Sequence, residues 1–215
     1  MTGDELQRLR AEASRDDYVS MARLARALYE QGANSREVVL QCYGVGFPEE
    51  FFVITEAGTE ALDLMVDYPN QPWQTAIALD RGGPAPTPHS LAGMEQRVFA
   101  RDQDLMPLVW CVKTGVMHGN SLLCYRLSEL RMRRSTVYRV ALPVEAHHGI
   151  VHCGDSLLTA LHEHHASYVG WLEKELGDPA NARRGGPAKE EVTEMQELVT
   201  LIEELQRLVT SRQGA

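Results

Sequence analysis

The sequence predicts an α+β fold: an antiparallel sheet of about five to six strands, flanked by N-terminal and C-terminal helices, with one more helix appended at the C-terminus. Three observations predict it. Apolar residues recur at helical spacing up to Tyr43, short β-rich runs bounded by turn signals fill the middle, and helical spacing returns from Asp155 onward.

Taken in order, Asp4–Ser14 is polar and helix-permissive, and Asp17–Gln31 places Tyr18, Met21, Leu24, Ala25 and Leu28 on one helical face. Gly32 and Asn34 stop that helix, Ser35 caps the next, and Glu37–Tyr43 is short. The stretch YGVGFPEEFFVI, Tyr43–Ile54, then joins the helical front to the rest of the chain. Gly44 and Gly46 can take backbone angles closed to other residues, while Pro48 presets a helical first turn whose positive end suits Glu49 and Glu50. Propensity leaves Glu49–Thr55 open between helix and strand. Ala61–Asp67 and Thr75–Asp80 read as strands between turn signals, and Pro84–Ser90, with three prolines, as a loop. A short helix is expected over Ser90–Asp102. Leu105–Val112 suits a strand buried on both faces, and with Ser121–Leu127 and Ser135–Leu142 it forms an antiparallel meander. Asp155–Leu176 returns to helix.

Gly177–Lys189 has linker composition, so the chain divides into a main domain over 1–176, a linker over 177–189 and an amphipathic helix over 190–212. In that helix Met195, Leu198, Ile202, Leu205 and Val209 keep a 3,4 spacing that needs a covering partner, either the main domain or a second copy in a homodimer.

At 215 residues, with 44% hydrophobic and 24% charged residues, the chain has material for a proper core. Cys42, Cys111, Cys124 and Cys153 show no CxxC spacing and lie in apolar runs, so they are expected reduced. The first residues lack the apolar core of a signal peptide, and no apolar run approaches the roughly 20 residues that span a bilayer. The expectation is a cytoplasmic protein without membrane association. A formal charge of -9 and a pI near 5.4 oppose nucleic-acid binding and favour a basic partner.

Side chains with chemical potential concentrate between His147 and His165. His148, His152, Cys153, His162 and His165 are the candidate metal ligands, since imidazole and thiolate both bind zinc. The run HEHH is not HExxH, however, and His165 shares an apolar stripe with Leu161 and Tyr168, where a packed core histidine is expected. Cys153 beside His152 makes a poor nucleophile–base pair, because adjacent side chains seldom face each other. No nucleophile elbow, phosphate loop or dinucleotide fingerprint occurs. Arg131, Arg133 and Arg134, with Arg126 nearby, suit an anion or an acidic patch, although a solvated turn is the plainer account. Trp110 reads as core, and Trp73 as an exposed contact between proline-rich turns.

Helices first, then Gly44, Phe47, Pro48, Glu49, Glu50 and Phe51 in a turn leading into a helix, then strands and a closing helix: this order resembles the SUKH superfamily over residues 17–176. LMPLVWCV, SLLCYRL and STVYRVAL look like that family's central strands. Phe47 stands where the family usually has leucine, and the linker and last helix have no counterpart. The resemblance implies a non-enzymatic domain that acts in bacteria as an immunity protein, binding and neutralising a cognate toxin, often a nuclease. Expected contact residues are Glu49, Glu50, Asp67, Tyr68 and Trp73, which cluster around predicted turns. No catalytic residue and no cofactor are expected. The alternative is a metal-dependent enzyme or metal-binding protein using the His147–His165 region, and the third reading is an interaction scaffold.

Overall fold

A computed structural model describes residues 3–62, 66–68, 71–88, 92–111, 120–142, 149–178 and 187–214. It shows the expected α+β architecture. Among the described residues there are nine α-helices: α1 (Gly3–Glu12), α2 (Tyr18–Glu30), α3 (Ser35–Tyr43), α4 (Glu49–Ala57), α5 (Gln71–Thr75), α6 (Ala92–Arg101), α7 (Leu127–Arg131), α8 (Leu157–Gly177) and α9 (Lys189–Gln213). Five strands, β1 (Val66–Asp67), β2 (Leu105–Cys111), β3 (Ser121–Arg126), β4 (Val137–Ala141) and β5 (Ile150–Gly154), form one antiparallel sheet in chain order.

Local chemistry sets the helix ends. Asp17 caps α2 by accepting from the Val19 amide, and Asn34 and Glu37 form a reciprocal capping box on α3. Gly44, at φ 66°, closes α3 in the left-handed conformation. The ambiguous Glu49–Thr55 stretch is helical. Two expected strands are corrected: Ala61–Asp67 begins in a 3-10 turn at Thr59–Leu62 and is strand at Val66–Asp67, with residues 63–65 outside the described residues, and Thr75–Asp80 runs from the last residue of α5 into a second 3-10 turn at Leu79–Arg81. Their apolar residues are few and serve as plugs for the core, with Leu62, Val66 and Ala76 all buried.

The meander of β2, β3 and β4 pairs as expected, with Leu122 opposite Trp110 and Val140. Strand alternation then divides the sheet's two faces. Leu123 and Tyr125 join a core with Phe51, Trp73, Leu157, Leu161 and Leu172, whereas Leu122 and Cys124 meet Val98 of α6. The strand β5 adds to the expected set, because Ile150–Gly154 has no fully buried residue, as suits an edge strand, and carries no buried pattern in its sequence.

The C-terminal helix is not a free appendage. Val192, Met195, Leu198, Ile202 and Leu205 are buried in the same core as α4 and α8. The apolar seam is thus covered within the chain, at about 1.5–3 kcal/mol for each fully buried aliphatic side chain. Residues 179–186 of the expected linker lie outside the described residues. The four cysteines are free thiols. Among the described residues, no helix is long and apolar enough to cross a membrane.

Candidate functional site

The Tyr43–Ile54 stretch anchors the candidate surfaces to the core. Beyond Gly44 the chain buries Val45 and Phe47, whose ring meets Phe51 edge-on at 4.8 Å and Tyr125 at 6.1 Å. Phe51 in turn stacks on Trp73 at 4.2 Å. This aromatic column fixes the start of α4 against β3, leaving Glu49 and Glu50 on different sides of the helix.

Glu50 points inward and is 5% exposed. Its carboxylate accepts from the Tyr125 hydroxyl at 2.7 Å, the Ser156 hydroxyl at 2.6 Å, and the Leu157 and Leu158 amides at 2.9 and 3.3 Å. Those amides belong to the first turn of α8, where a negative charge meets the positive helix end. Burial beside this carboxylate pushes the Tyr125 hydroxyl well above its ordinary pKa. Glu50 therefore joins α4, β3 and α8 through one acceptor group.

Glu49 points outward between Arg36 at 2.7 Å and Arg212 at 3.2 Å, and Arg212 also reaches Glu56 at 2.8 Å. Partial burial raises the Glu49 carboxyl, but the hydrogen bonds and charges of the two arginines outweigh it and hold the group below its usual range. The end of α9 is thereby clasped to α4.

Across from Pro48 lies a groove of about 570 Å³, lined on one side by Leu40 and the Gly44–Glu49 turn and on the other by Leu130–Arg131 and Arg133–Ser135. The second wall is a tight turn. The Met132, Arg133 and Arg134 amides bond back to Glu129 and Leu130 carbonyls, and Arg133 adopts φ 58°. Glu129 braces the turn by accepting from Tyr138 at 2.6 Å, and hydrogen bonds from Thr136 and Tyr138 lower its pKa. Arg126 is committed elsewhere, to Asp102 at 3.0 Å and Asp104 at 3.5 Å, above the Tyr138 ring. Arg131, Arg133 and Arg134 are exposed, and their guanidinium groups make no ion pair or hydrogen bond with any described residue.

The opposite charge gathers on the α8–α9 hairpin. These two helices hold nine glutamates against four lysines and arginines, an excess that accounts for more than half of the chain's net charge of -9. Glu190, Glu194, Glu197 and Glu204 recur at spacings that place them along one exposed stripe of α9. The hairpin is pinned by His162 to Glu203 at 3.2 Å, Tyr168 to Glu191 at 3.0 Å and Gln196 to Glu173 at 2.9 Å.

Of the expected contact residues, Glu50, Tyr68 and Trp73 are corrected from exposed to buried. Trp73 is 2% exposed, donates its indole N–H to the Leu108 carbonyl at 2.7 Å and packs edge-on against Tyr68. An aromatic residue between prolines is no guide to exposure when a core cavity of matching shape lies beneath it. Glu49 sits in its ion pairs, and Asp67 lies half-buried in β1. Trp110 is half-buried rather than fully buried.

The candidate metal ligands diverge. His152 is exposed on β5 near Asp155 at 3.5 Å, His162 faces Glu203, and His165 is buried with Nδ1 2.7 Å from the Leu161 carbonyl. Cys153 comes directly after His152 in a strand, so their side chains leave opposite faces, and burial raises its thiol pKa. His148, like His147, lies outside the described residues. Among those described, no group of three or more His, Cys, Asp or Glu side chains is arranged to hold a metal ion.

The fold and these surfaces define an α+β protein with two charged regions of opposite sign. No family model matches the chain, and neither does any curated protein or solved structure.

Proposed function

We propose that this chain is a non-enzymatic, SUKH-like protein-binding domain that neutralises a basic partner, in the manner of a bacterial immunity protein and its toxin. The observation that carries the reading is the carboxylate stripe of Glu190, Glu194, Glu197 and Glu204 on the α8–α9 hairpin, where the acidic excess of the chain concentrates. A hairpin secured to the core presents these charges on a rigid face, so binding orders few groups beyond their side chains. Complementary charge accelerates encounter and discriminates against acidic competitors. The contact face in this reading is α9, not the turn residues around Trp73.

The test uses the full chain as bait in a lysate of its source, then titration of the captured partner's own activity. A basic protein that loses activity at equimolar ratio supports the reading. A captured partner whose activity is unchanged by saturating amounts of this protein sinks it.

A further inference from the structure

We propose that the arginine groove between the Gly44–Glu49 turn and the Leu130–Ser135 turn is a second docking site, and that its occupant is a short acidic segment of a protein carrying an apolar side chain between carboxylates. This goes beyond the neutralising role, which rests on the carboxylate stripe of α9.

Three features converge on it. Arg131, Arg133 and Arg134 stand exposed and unpaired on one wall, although the chain has carboxylates in excess. By contrast, Arg36, Arg126 and Arg212 all hold carboxylates at 3.2 Å or less. The turn presenting the three is fixed, with Glu129 bonded to Tyr138 and Arg133 held at φ 58°, so the guanidinium groups hang from a rigid support. Such forks match carboxylate oxygens two at a time. The facing wall offers an exposed apolar side chain: Leu40 on α3 is 48% exposed and lines the groove beside Pro48, while Glu49 on the same wall is already held by Arg36 and Arg212.

That pairing decides the class of ligand. Phosphate would use the arginines and leave Leu40 wet, whereas an apolar side chain flanked by carboxylates meets both walls. A nucleic-acid strand would extend beyond the groove toward a molecule of net charge -9, which repels it. The groove, about 570 Å³, falls within the range of about 300–1,000 Å³ typical of sites that enclose small ligands or short peptides.

The test is fluorescence anisotropy with the full chain and a labelled hexapeptide of alternating glutamate and leucine. The matching glutamine–leucine peptide, inorganic phosphate and a single-stranded oligonucleotide serve as comparators. The acidic peptide is expected to bind at least tenfold more tightly than the glutamine peptide, and R131Q/R133Q/R134Q to remove that advantage. R207Q, on α9, is expected to leave it intact. The three guanidinium groups make no hydrogen bond or ion pair with a described residue and Arg134 only adds a favourable charge near Glu129, so a urea midpoint close to the parent's verifies that the triple variant is folded. Equal binding of the two peptides, or an unaltered preference in the triple variant, overturns the proposal. So does tighter binding of the oligonucleotide than of the peptide, or its displacement by phosphate at the same concentration, which assigns the groove to phosphate groups.

Discussion

Replacing Glu50 by glutamine preserves the shape of the side chain and removes its charge and one acceptor. All four groups around the carboxylate are donors in the structure: the Tyr125 and Ser156 hydroxyls and the Leu157 and Leu158 amides. The hydroxyls can rotate to accept from the new NH₂, but the backbone amides cannot. One amide in the first turn of α8 therefore loses its acceptor. A hydrogen bond to a charged group is worth about 1.5–3 kcal/mol, and a buried donor left unsatisfied costs about 1–3 kcal/mol. Loss of the charge at the helix end adds about 0.3–1 kcal/mol. Allowing for overlap, E50Q is expected to destabilise the chain by about 3 kcal/mol, which lowers Tm by roughly 6–12 °C for a domain of this size. Urea unfolding monitored by tryptophan fluorescence reads this directly, since Trp73 stacks on Phe51, the residue next to Glu50. A loss below about 1 kcal/mol at unchanged m-value would refute the idea that Glu50 ties α4, β3 and α8 together.

Packing and charge set three more expected outcomes. Ile202→Ala, at a fully buried position of α9, is expected to cost about 2–5 kcal/mol in one cooperative transition, checked by calorimetry; a separate low-temperature transition would mean that α9 unfolds on its own. Trp73→Phe keeps a ring over Phe51 but removes the indole hydrogen bond to the Leu108 carbonyl, so a loss of about 1 kcal/mol is expected in urea melts. The Glu49, Asp104 and Glu129 carboxyls all have depressed folded-state pKa values. Their contribution is fully present above the unfolded carboxylate range, about pH 4, and is lost as pH falls through the folded values. Urea midpoints should therefore drop on acidification below about pH 4, and E49Q should show a shallower drop than the parent chain.

The longer helices and the β2–β4 meander are legible in the sequence because period and burial agree: Met21, Leu24 and Leu28 of α2 and Met195, Leu198 and Ile202 of α9 all face the core as their spacing implies, whereas the five-residue helices α5 and α7 are too short to show a period. The edge strand β5 carries no such pattern, since it pairs on one side only and leaves Val151 and His152 exposed. The apolar residues around Leu62 and Ala76 resemble strand runs in composition, but too few of them occur in sequence to sustain a ladder. The site is less legible for a physical reason. The acid pair after Pro48 reads as favourable charge on its own helix, yet the partners of Glu50 include Leu157, 107 residues away, and Arg212 lies 163 residues beyond Glu49. Local pattern carries nothing about such pairings. The arginine turn is visible as a cluster, but only the fold shows that Arg126 is spent on Asp102 while the other three remain available.

Capture of a basic partner by the carboxylate stripe of α9 is the central claim. It is tested most directly by parallel affinity capture on the parent chain and on E190Q/E194Q/E197Q/E204Q, at low and at physiological ionic strength. One stoichiometric basic protein is predicted on the parent chain, weakened by salt and absent from the variant. A partner retained equally by both proteins, or capture indifferent to salt, would contradict the claim.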